Sequence, residues 1–248
     1  MTPAWAERAA VAPATCPLEA IGAATVTTVT DGRSFTLADG REIRLAGIET
    51  PGDASGAANA KAALEALLGQ REITLRRLNA EHDRHGRVPA YGFASDSEQS
   101  VQHRLLAGGH ARVAAQIGNA ACAADLLAAE RTARSARLGI WSNPHYLIRG
   151  ADKPAAVLAE RGRFTLVEGQ VLSVRESGGT IYVNFGRRWS EDFTVTVPKR
   201  SEKTFIDAGL ELKKLSGRRV RVRGTIEERG GPWIEAIRPE QIEIADRN

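Results

Sequence analysis

Two Asp-Gly pairs, Asp31-Gly32 and Asp39-Gly40, constrain this chain more than any other feature. Asp-Gly readily adopts the positive φ angles that a tight hairpin turn demands. The two pairs separate TVTTV, SFTLA and EIRLAGI, short runs that alternate or carry β-branched residues, so consecutive antiparallel strands are expected from Thr25 onward. AANAKAALEALLG (57–69) reads as an Ala/Leu helix ended by Gly69. REITLRRL supplies a fourth strand, HDRHGR a polar turn and VPAYGF a fifth strand. Ser100 caps the short helix VQHRLLAG, and Asn119 caps a longer one that stops at Gly139. Five strands with helices between and after them point to a small Greek-key barrel of the oligonucleotide-binding (OB) type.

The segment 143–162 carries two prolines and breaks this pattern, as a linker with a short helix would. Five further strands follow: FTLVEGQVLSVRE, TIYVNFG, DFTVTVP, RRVRVRGTIEE and WIEAIRPEQIEI, with the helix KTFIDAGLELKKL between the third and fourth. Gly178-Gly179 and Gly230-Gly231 mark hairpin turns. The expected fold class is mainly β with α, as two OB-type five-stranded barrels in tandem. The expected division is an N-terminal tail (1–22), a first barrel (23–142), a linker (143–162) and a second barrel (163–248).

Composition narrows the function without choosing it. The chain has 248 residues, 42 % of them hydrophobic and 26 % charged, which suits two small globular domains. No run approaches the roughly 18 apolar residues of a membrane span. A net charge of +4 is too small to establish a polyanion partner. Of 34 basic residues 28 are Arg and six Lys; arginine favours bidentate phosphate contacts, yet a GC-rich genome gives the same bias. Cys16 and Cys122 are too few for a zinc site. They are either two reduced thiols or one disulfide that tethers the tail to the capped helix, and the disulfide is the expectation. The opening MTPAWAERAAVAPATCPLEA lacks an apolar signal core and is similar to residues left after a signal is removed. Together these favour a periplasmic or secreted protein, with a cytoplasmic one as the alternative.

VTDGRSFTL, REIRLAGIETP, DRHGRVPAYGF, LLAGGHARV and ARSARLGIW occur in order between about residues 25 and 141. This series resembles the staphylococcal-nuclease (thermonuclease) family. The resemblance implies a calcium ion held by carboxylates on the first hairpin and after RLAGI, a glutamate just beyond Thr-Pro that serves the attacking water, and two arginines on the scissile phosphate. Arg44 and Arg87 match the arginines. Glu49 stands at one carboxylate ligand position, Arg33 at the other, and Gly52 replaces the glutamate after Thr50-Pro51. A hard divalent cation needs several oxygen ligands, and a guanidinium repels it and never ligates. Arg33 is therefore expected to pair with Glu49 and take the place of the ion. The residual catalytic set is Arg44, Glu49 and Arg87, and the phosphate-binding set is Arg33, Arg44 and Arg87. No metal ligand set and no cofactor are expected, with calcium entering only if the site works despite Arg33. Asp53 is a displaced candidate for the lost base. Asp83 reads as a turn former, and His82 and His85 as solvated.

Seven of the 13 aromatics lie beyond residue 163. IYVNFGRRWSEDF interleaves them with arginine, and RRVRVRG alternates Arg219, Arg221 and Arg223 with valine. Trp189, Arg187, Arg188 and Arg221 are thus candidates for nucleic-acid binding, and the alternative is an ordinary solvated face. Three functions stay open. One is a protein of phosphodiesterase ancestry that binds nucleic acid, single-stranded for preference, or another phosphate-bearing ligand without efficient cleavage. The second is an active nuclease with altered metal use, and the third a protein-interaction module.

Overall fold

The computed structural model describes residues 16–79, 81–188 and 190–245. Its first unit begins with β1 (Glu19–Asp31), β2 (Ser34–Leu37), β3 (Glu42–Leu45) and β4 (Ile48–Glu49). Then come α1 (Ala54–Leu68), β5 (Glu72–Arg77), β6 (Val88–Ala94), α2 (Val101–Ala107), β7 (Arg112–Val113) and α3 (Ala120–Ser135). The order β1-β2-β3-β6-β5 closes a barrel. Closure depends on β1, which is long enough to serve two neighbours. Its first half pairs with β5 (Glu19↔Arg77 to Thr25↔Glu72) and its second half with β2 (Val26↔Leu37 to Asp31↔Ser34). A register shift between Ala20 and Gly22, whose φ of 107° suits glycine, falls within the half that pairs with β5. Residues 19–22, expected in the tail, therefore belong to the barrel. Phe35, Leu37, Ile43, Leu45, Ile73 and Leu75 fill it, and Leu64, Leu105 and Leu126 of the three helices pack against them. The caps fall where the sequence places them: Ser100 accepts from His103 N, and Asn119 from Ala121 N and Cys122 N.

The second unit holds β8 (Arg149–Gly150), α4 (Pro154–Leu158), β9 (Phe164–Gln170), β10 (Ser173–Ser177), β11 (Thr180–Asn184) and β12 (Thr194–Pro198). It ends with α5 (Glu202–Asp207), β13 (Arg219–Thr225), β14 (Glu227–Arg229), β15 (Gly231–Glu235) and β16 (Ile242–Ile244). The sequence pattern predicts a second closed barrel, but the described strands form two sheets, β10-β11-β12-β15-β14 and β16-β13-β9-β8. Ile226, between β13 and β14, hydrogen-bonds to Arg163 O and Gly162 N, which carries the β13–β9 pairing one step past Thr225↔Phe164. Val171, between β9 and β10, likewise bonds to Arg218 O and Gly217 N. With each broken pair read as one bent strand, the pairing follows the same order as in the first barrel. The segment 143–162 is also more than a linker, since β8 within it pairs in parallel with β9. Among the described residues no helix is long and apolar enough to cross a membrane.

The two units are joined by a buried ion cluster. Arg223 on β13 is 1 % exposed. Its Nη1 donates to Val113 O and Glu130 Oε2, both at 3.0 Å, and its Nη2 to Glu130 Oε1 at 3.0 Å and to Glu243. Glu130 on α3 is 0 % exposed and also accepts from Val113 N at 2.6 Å and Arg134 Nη1 at 2.8 Å. Burial opposes ionisation of Glu130, but the adjacent Arg223 outweighs it and the pKa lies below the ordinary value. Glu240 adds a second tie by accepting from the amides of Ile117 (2.7 Å) and Gly118 (3.0 Å). The basic face expected of RRVRVRG is therefore spent: Arg223 is buried, and Arg219 and Arg221 bond Glu168 at 2.7 and 2.5 Å.

Cys16 and Cys122 form a disulfide across 106 residues of chain, with Cys122 buried in α3. Denatured, non-reduced protein should thus show no thiol to an alkylating reagent. Reduction should cost about 4–5 kcal/mol by the chain-entropy account, and two alkylated cysteines in the oxidised protein would contradict the bridge. Arg223→Met should cost about 3–5 kcal/mol in urea unfolding because it strands Glu130 in the interior. Adding Glu130→Gln should recover part of that loss, and a single-variant loss below about 1 kcal/mol would contradict the cluster's role.

Candidate phosphate site

The β1–β2 turn sets the position of Arg33. A Cβ on Gly32 would lie 2.6 Å from Ala60 Cβ and 3.0 Å from Thr50 Cγ2, so only glycine lets the hairpin approach α1 this closely. Asp31 Oδ1 accepts from Arg33 N at 2.8 Å and fixes the turn. The Arg33 side chain, 17 % exposed, then reaches Glu49 Oε2 at 2.6 Å and Ile48 O at 2.8 Å through Nη1. One nitrogen thus meets a carboxylate and a backbone carbonyl, oxygen types that also bind hard cations.

Arg44 lies across the sheet, paired in register with Ser34. Among the described residues its guanidinium has no hydrogen-bond or ion-pair partner. Partial burial and the nearby charges of Arg33 and Arg87 hold its pKa below the ordinary value, against the pull of Glu49 and Asp31. Arg87 leaves the turn at 83–86, which Gly86 closes with a φ of 77°. Asp83 Oδ2 accepts from Arg87 Nε and Nη2, both at 2.8 Å, and Oδ1 from the amides of His85 and Arg87. Asp83 is thus a turn former that also aims Arg87. His85 meets Arg84 Nε, and His82 is exposed. Arg33 and Arg87 lie close enough to Arg44 for their charges to act on it. Two are neutralised by a carboxylate and Arg44 is not, so the site favours an anion.

Asp53 does not replace the lost base. Its Oδ2 accepts from Gly56 N at 2.9 Å and Ser55 Oγ at 3.0 Å as the cap of α1, and its Oδ1 accepts from the Tyr146 hydroxyl. Those bonds, the Gly56 amide first, hold its pKa below the ordinary value, which suits a fixed acceptor and not a proton shuttle. Gly52 faces open space: a Cβ added there would meet nothing within 4 Å. The calcium ion implied by the resemblance does not fit this donor set. Glu49 is committed to Arg33 and Asp31 to a backbone amide. Among the described residues no group of three or more His, Cys, Asp or Glu side chains is arranged to hold a metal.

Sequence reasoning missed the wall beside Glu49. A cavity of about 440 Å³ lies there, lined by Glu49, Asp53, Arg112, Tyr146, Glu160 and Phe164 among others. Arg112, 8 % exposed, pairs in register with Glu49, donates to Phe164 O at 2.8 Å, and stands over the Tyr146 and Phe164 rings. Burial pushes its pKa down to about 10. LLAGGHARV contains Arg112, but its spacing gives no sign of partners on distant segments. Of the second-unit candidates, Trp189 lies outside the described residues. Arg221 is committed to Glu168, and Arg188 pairs with Glu191 at 2.9 Å. Arg187 alone among them is exposed without a partner among the described residues.

Partial burial pushes the Asp83 carboxyl up, but the bonds from Arg87 and the His85 amide prevail and hold it at about 2, below the ordinary 3.8. A depressed acid stabilises the fold above its unfolded pKa. The Asp83–Arg87 contribution should therefore be complete above about pH 4 and fade as pH falls toward 2. The stability gap between the native chain and Asp83→Asn should shrink over that window. A carboxyl-carbon NMR titration that places Asp83 at or above 3.8 would contradict this.

No curated protein matches the chain. Its residues 42–143 match the family model described as staphylococcal nuclease homologue. That span includes Arg44, Glu49 and Arg87 but begins after Arg33, and over it the first unit of the chain is similar to staphylococcal-nuclease homologues.

Proposed function

We propose that the first unit binds the phosphates of nucleic acid, or of another phosphate ester, without a metal ion and without efficient cleavage. The observation that carries this reading is the Arg33 guanidinium held 2.6 Å from Glu49 and 2.8 Å from the Ile48 carbonyl. A fixed positive charge sits where the family resemblance puts a cation. It gives the neighbouring site its positive field without ligand exchange.

Binding falls to Arg44 and Arg87. Arg44 brings an unpaired guanidinium, and Asp83 holds Arg87 in one direction. Cleavage needs more. Water must be deprotonated, and a positioned base is worth about 10²–10⁴ in rate. Glu49 is tied to Arg33, Asp53 to its cap, and Gly52 has no side chain. The bridge between Cys16 and Cys122 favours an oxidising compartment, periplasmic or extracellular, for this activity.

Calcium at millimolar levels should give no stoichiometric heat with the native chain, and a nucleoside bisphosphate should bind with or without it. Arg33→Asp with Gly52→Glu restores both acidic positions, the second into open space. That double variant should bind calcium and gain calcium-dependent cleavage of single-stranded DNA or RNA. Calcium-dependent cleavage by the native chain, abolished by Arg87→Ala, would overturn the reading.

A further inference from the structure

We infer that the outward face of β10 and β11 is a second binding site, built for single-stranded nucleic acid and separate from the arginines of the first barrel. Register creates this face. Ser173 pairs with Asn184, Arg175 with Tyr182 and Ser177 with Thr180, so their side chains share one side of the sheet. The intervening Val174, Ile181 and Val183 turn inward and join the core. With Leu172, Gly186 and Arg187 the outward residues other than Thr180 line a groove of about 540 Å³.

Its charge balance differs from its surroundings. No Asp or Glu lines the groove. Arg175 and Arg187 have no hydrogen-bond or ion-pair partner among the described residues, whereas nearby Arg188, Arg219 and Arg221 each hold a glutamate. Two unpaired guanidiniums without a carboxylate attract an anion. The same face presents an aromatic ring: Tyr182 is 37 % exposed and stands directly across the strand from Arg175. Leu172 beside it is also exposed.

A ring flanked by arginines and small polar groups matches a base and its phosphates together. The ring stacks on the base, the guanidiniums meet the backbone, and Ser173, Ser177 and Asn184 offer donors and acceptors to base edges. Inorganic phosphate would use the arginines and leave Tyr182 and Leu172 without a role. An acidic peptide has no π-face for the ring. A duplex keeps its bases stacked inside, so the site calls for a single strand.

Fluorescence anisotropy of a labelled short oligo(dT) or oligo(U) on the full chain tests this across a salt series. Tyr182→Ala should weaken binding about tenfold, and Tyr182→Phe, which keeps the ring, should not. Arg175→Gln with Arg187→Gln should flatten the salt slope by about 0.7 for each lost phosphate contact. Arg44→Gln with Arg87→Gln should leave oligonucleotide binding at this face measurable, which separates it from the first-barrel site. The inference fails if the native chain binds no oligonucleotide. It also fails if the face variants bind as the native chain does, or if a duplex or poly-glutamate binds as tightly as the single strand.

Discussion

The arrangement of this molecule depends on Arg223. Placing a guanidinium in the interior is costly unless its donors are met and its charge is balanced. Here Glu130 and Glu243 balance it, and the carbonyl of Val113 takes a further bond. The partners come from α3, β16 and β7, so one side chain ties the last strands of the second unit to the body of the first. That tie makes the second unit part of the candidate site. Phe164 and Glu160 are held against Arg112 and Tyr146, and together they wall the cavity beside Glu49. The buried Arg223 charge in turn keeps Glu130 ionised, against the cost of its burial.

The pair of Arg33 and Glu49 applies the same physics at a partly solvated place. A site built around a divalent ion balances that ion with carboxylates. Removing one carboxylate and the base while leaving the others would leave a charge cluster without its counterion. In the proposed reading, arginine at position 33 supplies the counterion covalently. Arg33 Nη1 meets one carboxylate and one carbonyl, oxygen types that would otherwise face a bound cation. Arg44 and Arg87 keep their positions on the barrel rim because β3 and β6 pair in parallel beside the hairpin.

The parts legible in the sequence are those with local causes. Asp31-Gly32 and Asp39-Gly40 fix turns within a few residues, and Ser100 and Asn119 cap helices that follow them at once. Arg33 and Glu49 are legible as a pair only through the family resemblance, which puts both at ligand positions of one ion. The parts that are not legible have distant causes. RRVRVRG alternates like a solvated strand, and nothing in it tells that Glu130, 93 residues away, waits for Arg223. Arg112 has the same disguise, since its partners Tyr146 and Phe164 lie on other segments. The division of the second unit's strands into two sheets is likewise not legible, since strand patterning alone does not reveal where a long strand bends.

The central claim is that a covalent cation replaces a bound one at the phosphate site. Guanidinium NMR of the native chain, with Arg44 and Arg87 labelled at Nε, tests this most directly during titration with a nucleoside bisphosphate. Both resonances should shift on ligand addition, with the same shifts and midpoint in calcium and in a chelator. Shifts that require calcium, or resonances that ignore the ligand in both conditions, would contradict it.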